Sequence, residues 1–285
     1  MARKGDRLKI SGLVVLIVLG IGGLAGSFLW TTLNDPVPDT DYCPTNQDIP
    51  IPAHWAVVMD TTEPYTLTQT NRLHSWFRQL LDEIPRYGKV SLYLMNADAT
   101  AQPAAKVSLC SPGQRANGVL ESLNTNPELM YLTWREGFEK QFIDELDVVD
   151  ETSSQSPILE RIPFVSNDAF AGTNATVADK RLYLVSDLLQ HSEEGYSMYR
   201  DPAREWLEFQ TRPDFATLTA SPFMNGVSVQ VLHLLRPCSP ELELQGHVNH
   251  RLWWDRYFTH LKASVERIED VSGADSNCAG GESNG

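Results

Sequence analysis

Two apolar stretches of this sequence end in an acid that has a hydroxyl beside it. Asp60 and Thr62 follow the apolar run 54–59, and Ser186 and Asp187 end the run that starts at position 180. Apolar runs of this kind are typical of strands buried on both faces of a parallel sheet, and such sheets bind ligands just beyond the carboxyl ends of their strands. We therefore expect Asp60, Thr62 and Asp187 to lie at one shared edge of a sheet.

Two carboxylates and several hydroxyls at one edge suit two kinds of chemistry. Hard divalent cations such as Mg²⁺ and Mn²⁺ prefer oxygen ligands, so Asp60 and Asp187 are candidate metal ligands. An acid after a strand can also act as a nucleophile in phosphoryl transfer, but Thr62 stands where that chemistry usually places a general acid. The simpler alternative is that both acids only cap turns by accepting hydrogen bonds from backbone amides.

The elements that must position these acids alternate between strands and helices. Alternation of this kind predicts an α/β fold with a doubly wound, mostly parallel sheet. Strand 106–110 follows its predecessor after only ten residues, fewer than a parallel crossover needs, so we predict one antiparallel edge strand. The last helix is predicted over 254–268. The predicted strands cover 54–59, 89–95, 106–110, 180–187 and 227–235.

The amino-terminal part of the chain has the pattern of a membrane anchor. The 21 residues from Ile10 to Trp30 carry no charge, and about 20 apolar residues are needed to cross a bilayer as a helix. Four basic residues precede this span and acids follow it, which predicts a cytoplasmic amino terminus and a periplasmic or extracellular bulk of the chain. The alternative is a cleaved signal peptide ending near Ala25, although signal cores are usually shorter than this run.

The charge of the chain limits its partners. Its net charge of −14 repels a phosphate backbone, so we expect no nucleic-acid binding. All four cysteines follow the predicted span, and an even count in an exported domain predicts two disulfides in an oxidising compartment. Four cysteines allow three pairings. The cysteines are Cys43, Cys110, Cys238 and Cys278.

The arrangement resembles a von Willebrand factor A-type (VWA-like) domain over about residues 54–268. In that family the first loop reads Asp-x-Ser-x-Ser, and here Asp60 and Thr62 match its first two positions while Pro64 replaces the second serine. Asp187 matches the acid of the third loop. The second loop contributes a threonine in the family, and Thr152, Ser153 or Ser156 can supply its hydroxyl here.

The chain also resembles a group of bacterial envelope-anchored proteins of this fold whose function is unsettled. The segments that carry this resemblance are SPILE, LYLVSDLLQHS, LLRP and WWDRYF. The predicted organisation is a basic cytoplasmic tail at 1–9, a transmembrane anchor at 10–30, a Pro-rich tether at 31–53, the VWA-like domain at 54–268 and a flexible tail at 269–285.

The resemblance implies a binding or scaffolding module with a protein partner in the membrane or envelope. Its degenerate metal-ion-dependent adhesion site would consist of Asp60, Thr62, Ser156 and Asp187, with Mg²⁺ or Mn²⁺ as the ion and a partner carboxylate completing its coordination. The competing hypothesis is a metal-dependent hydrolase of the phosphoester class that uses Asp60 and Asp187. A third hypothesis is a purely structural part of a membrane complex.

The predicted topology favours one disulfide pairing. If strand 106–110 is antiparallel, Cys110 emerges at the end of the sheet opposite Asp60, which is also where the tether carrying Cys43 enters the first strand. We therefore prefer Cys43 with Cys110, which leaves Cys238 with Cys278.

Overall fold

The computed structural model describes most of the region after the predicted tether and short pieces before it. The described residues are 17–23, 26, 37–46, 50–96, 104–116, 122, 125–146, 153, 155–193, 195–199, 206–236 and 240–273. The predicted tail 1–9, much of the span 10–30, and both Cys238 and Cys278 lie outside these residues. The second predicted disulfide therefore stays a prediction.

Six strands form one sheet in the order β3-β2-β1-β4-β5-β6, and every pair except β2–β3 is parallel. All eight residues of β1 are buried, as expected of a central strand covered on both faces. The α/β architecture predicted from the sequence is confirmed, and this strand order fits a VWA-like or Rossmann-like fold. The strands are β1 (Ala53–Asp60), β2 (Lys89–Met95), β3 (Val107–Cys110), β4 (Asp179–Ser186), β5 (Ser228–Leu235) and β6 (Ser264–Ser272).

Helices cover both faces of the sheet. The first begins with a capping box, in which Gln69 N donates to the side chain of Thr66 and Thr66 N donates to that of Gln69. The described helices are α1 (Leu67–Glu83), α2 (Pro127–Leu132) continued by a π-helical segment (Thr133–Glu139) and α3 (Lys140–Ile143), then α4 (Ile158–Phe170), α5 (Trp206–Phe209), α6 (Phe215–Leu218), α7 (Pro240–Gly246) and α8 (Val248–His260).

Side-chain alternation along the strands divides the core into two layers. Ala56 and Val58 of β1 face a cluster that includes α4 and α8. Trp55, Val57 and Met59 face the cluster that includes α1 and the helical segment 127–143. Because successive residues of a strand point to opposite faces, one apolar run serves both layers.

The segment 37–46 is fastened to the edge of the sheet near β3. Cys43 and Cys110 form a disulfide with a Cα–Cα distance of 4.9 Å, which is the pairing that the topology favoured. Beside it, the backbone amide of Cys110 donates to the carbonyl of Asp41 over 2.9 Å. The antiparallel pairing that motivated this choice is also present, with Cys110 opposite Lys89 in the β2–β3 register.

The carboxyl-terminal end differs from its prediction. Helix α8 ends at His260, and β6 occupies residues that were predicted to be helical up to 268 and then part of a flexible tail from 269. That helix prediction was wrong because Val265 and Ile268 were counted as a continuation of the helical stripe. They instead belong to a strand whose other side chains are mostly exposed or partly buried, so the strand carries little apolar periodicity.

Only part of the predicted membrane span is described. Residues 17–23 and 26 are helical, and the rest of the predicted span 10–30 lies outside the described residues. Within the part of the chain that the structure describes, no helix combines the length and apolar character needed to cross a bilayer.

Candidate functional site

Three neighbouring parallel strands bring their carboxyl ends to one edge of the sheet. β1 ends at Asp60, β4 ends at Ser186 with Asp187 next, and β5 is followed by Arg236. The register pairs Met59 with Val185, so the two acid-bearing ends are level with each other. The strand ends thus place Asp60, Asp187 and Arg236 around one point.

The Asp60 carboxylate accepts hydrogen bonds from the hydroxyl groups of residues in three separate parts of the chain. Thr62 Oγ1 donates to its Oδ1 over 2.6 Å. Ser156 Oγ and Ser186 Oγ donate to Oδ2 over 2.7 and 3.0 Å. Asp60 is only 3% exposed, so these donors replace the water that an exposed carboxylate would bind.

The environment of Asp60 favours its neutral form. Burial raises the pKa of the Asp60 carboxyl, repulsion by Asp187 raises it further, and the hydrogen bonds from Thr62 and Ser156 oppose both effects. The two acids are therefore close enough to interact electrostatically.

The Asp187 carboxylate is paired within the chain at both oxygens. The backbone amide of Leu189 donates to Oδ1 over 2.9 Å, and Arg236 Nε donates to Oδ2 over the same distance. Leu188 lies between Asp187 and Leu189 in sequence and has a φ of +60°. This backbone conformation is rare for a residue with a bulky side chain and costs about 1 kcal/mol or more. This tight turn directs the Leu189 amide toward Asp187.

Arg236 links Asp187 to the loop that follows β1. Its Nη1 lies 2.9 Å from Glu63 Oε2 and 3.5 Å from the carbonyl oxygen of Pro64. Pro64, which replaces the second serine of the VWA-like motif, thus contacts Arg236 through its carbonyl oxygen. The guanidinium joins the ends of β1, β4 and β5.

Ser156 is the described second-loop hydroxyl that reaches Asp60. A short antiparallel bridge fixes it, because the amides and carbonyls of Ser156 and His191 exchange two hydrogen bonds of 2.9 Å. Ser153 instead donates its backbone amide to the carbonyl of Thr62 over 2.8 Å. Thr152, the third candidate, lies outside the described residues.

A groove of about 270 Å³ opens beside these side chains. We call it the rim groove. The described part of its lining contains the acids Glu63 and Glu241 and no lysine or arginine. Burial raises the pKa of Glu63, and Arg236 opposes this effect. The rim groove is lined by Thr62, Glu63, Ser153, Gln155, Ser156, Leu189, His191, Tyr199 and Glu241.

The donor set matches a divalent ion only in part. Asp60, Thr62 and Ser156 converge as a hard cation requires, whereas the carboxylate of Asp187 is occupied by Arg236 and a backbone amide. Within the described chain, no three His, Cys, Asp or Glu side chains form a group that could hold a metal ion. The Mg²⁺ or Mn²⁺ ion therefore stays a prediction.

Ser186 and Arg236 are the residues of this site that were not predicted from the sequence. Each had a usable signal, since Ser186 precedes the predicted acid and Arg236 directly follows a predicted inner strand. Applying the strand-end rule to β5 as well as to β1 and β4 would have identified the arginine.

Comparisons with known proteins add little to this geometry. No protein-family model matches the chain, and no curated protein matches it. Among solved structures, the chain is similar to the crystal structure of an aerotolerance-related membrane protein from Bacteroides fragilis NCTC 9343 with multiple mutations to serines. The two share 9% identity over 79% of this chain and 94% of that chain, with a TM-score of 0.37, and this similarity carries no functional argument.

Proposed function

We propose that this protein is a membrane-anchored binding module of the VWA-like type and that the rim groove is its contact surface. The observation that carries the proposal is the convergence of three strand ends on Asp60 and Asp187 next to an open groove. Ligands of doubly wound sheets bind at this edge. The proposal concerns the groove itself and does not require a divalent ion.

The charge of the groove favours a basic partner. Glu63 and Glu241 line it, and together with Asp187 they set three acids against the single positive charge of Arg236, which pairs with Glu63 and Asp187. Tyr199 offers a ring that is 39% exposed, a surface on which an aliphatic chain or a cation can pack. A lysine or arginine of a protein in the membrane or envelope fits both features.

Affinity purification of the full chain from detergent extracts tests this proposal. We expect a specific partner to be recovered with the wild-type protein and lost when Glu63 and Glu241 are both replaced by glutamine. In a matched control, Glu128 and Glu136 are replaced by glutamine. Both lie on the helical segment 127–143 and do not line the groove. Equal recovery of the same partner by all three proteins would argue against the groove as the contact surface.

The orientation of the protein is part of the same proposal. With residues 10–30 as a single-pass anchor, protease added to intact spheroplasts should digest the domain, while a tag at the amino terminus stays protected. Protection of the domain would show that it faces the cytoplasm.

The hydrolase hypothesis is tested separately. It predicts turnover of a generic phosphoester that disappears in an Asp60→Asn variant. The hydrogen bonds around Asp60 do not favour this chemistry over a structural role, so the binding module is the function we propose.

A further inference from the structure

The pairing of Arg236 with Asp187 is the feature of this site that its sequence motif does not predict. The arginine side chain is 12% exposed and its partner acid 3%, so both charges are largely withdrawn from water. Buried charges are tolerated when they are paired and hydrogen-bonded. The guanidinium therefore has a structural reason to stay where it is.

The position of the guanidinium is defined from more than one side. Arg236 Nε contacts Asp187, and Nη1 contacts Glu63 at the same 2.9 Å. The backbone of Arg236 is held as well, because its amide donates to the side chain of Gln245 over 2.8 Å. Gln245 Nε2 in turn donates to the carbonyl of Asp187 over 2.9 Å. The two residues are thus connected through their backbones and through their charged groups.

A divalent ion and this guanidinium have the same electrostatic role and compete for the same acid. An ion that used Asp187 as a ligand would have to displace Arg236 or sit beside a second positive charge. Arginine stays protonated at any ordinary pH and presents its donors in a fixed fork. It can offset the charge of the acids without the dehydration that Mg²⁺ must undergo.

We propose that Arg236 is the built-in cation of this site, taking the place of the Mg²⁺ or Mn²⁺ ion that the VWA-like resemblance implies. The arginine joins the ends of β1, β4 and β5, and the site keeps its geometry without a metal. This inference does not depend on the partner proposed for the rim groove, because its readout is metal binding.

Calorimetry on the full chain in detergent tests the wild-type protein first. We expect no heat of binding when Mg²⁺ or Mn²⁺ is titrated to millimolar concentration, and we expect the same unfolding temperature with and without EDTA. Binding of Mn²⁺ with a Kd below about 100 µM that disappears in Asp60→Asn would overturn the proposal.

Replacing the arginine gives the complementary test. In Arg236→Gln the acids lose their cation, so the unfolding temperature should fall, and Mn²⁺ should now raise it. Arg72→Gln is the matched control, since Arg72 pairs with Glu269 away from this site and its loss should create no response to metal. If Arg236→Gln folds and Mn²⁺ does not raise its unfolding temperature, the proposal that the arginine takes the place of the metal is refuted.

A conservative variant covers the case in which Arg236→Gln does not fold. Arg236→Lys keeps the positive charge and loses the fork, so it should stay insensitive to Mn²⁺ while being less stable than the wild type. An Arg236→Lys protein that binds Mn²⁺ with a Kd below about 100 µM would contradict the proposal.

Discussion

Ser156 donates a hydrogen bond from its hydroxyl to Oδ2 of Asp60 over 2.7 Å, across 96 positions of sequence. The bond connects the loop before α4 to the end of the central strand. Both residues are buried, at 8% and 3% exposure, so neither partner can turn to water if the other is removed. The relationship makes the site part of the fold as well as a candidate contact surface.

We expect Ser156→Ala to lower the free energy of unfolding by about 1–3 kcal/mol, since it removes one of the donors to a buried carboxylate. Ser153→Ala is the matched control, because the contact of Ser153 with Thr62 uses its backbone amide and, among the described residues, its hydroxyl only accepts a local bond from the amide of Gln155. Urea unfolding followed by circular dichroism measures both. A Ser156→Ala variant as stable as the wild type would show that the hydroxyl of Ser156 contributes nothing.

Removal of the Cys43–Cys110 disulfide should destabilise the domain. The bond closes a separation of 67 residues, for which chain entropy alone gives about 4 kcal/mol, while disulfides typically contribute about 2–4 kcal/mol. The double replacement Cys43→Ser with Cys110→Ser should show this loss in thermal unfolding. If peptide mapping under non-reducing conditions recovered Cys43 joined to Cys238, the pairing itself would be wrong.

Gly137 packs against Tyr42 of the tether, and we expect this close contact to disfavour a larger residue at position 137. A Cβ added to Gly137, within the π-helical segment, would collide with the phenol oxygen of Tyr42. Gly137→Ala should therefore displace the end of the Tyr42 side chain and destabilise the protein by about 1 kcal/mol, even though alanine is the better helix former. Adding Tyr42→Ala should restore most of that loss, and a double variant no more stable than Gly137→Ala alone would exclude the collision.

His54 should make the protein less stable in mild acid. Burial lowers the pKa of His54 to about 3, and the charge of Lys89 contributes in the same direction. Above pH 6.5 the ring is neutral in both the folded and the unfolded chain. Below that pH only the unfolded chain takes up the proton, so stability falls until the pH reaches about 3.

The loss attributable to His54 is about 2 kcal/mol at pH 5. Wild type should therefore lose that much more stability than His54→Gln between pH 7 and pH 5, as measured by urea unfolding. His74→Gln, at a partly exposed position of α1, is the control and should follow the wild type. Parallel curves for wild type and His54→Gln would contradict the prediction.

Most of the sheet could be predicted because buried strands leave a direct record in sequence. β1 ends in Asp60 and β4 is followed directly by Asp187, each after an apolar stretch, so both their position and their shared edge were foreseeable. β6 was not, because an edge strand with exposed side chains needs no apolar pattern. Its residues gain their structure from pairing with β5, which local sequence does not record.

The sequence by itself determined the α/β class, the antiparallel β3, the capping box of α1 and the two acids at the carboxyl ends of inner strands. Each of these depends on periodicity, connection length or local hydrogen bonding, which nearby residues control. Only the tertiary structure decided that Ser156 and Ser186 share Asp60 and that Arg236 pairs with Asp187. These contacts join residues far apart in the chain, so their geometry exists only once the strands are packed side by side.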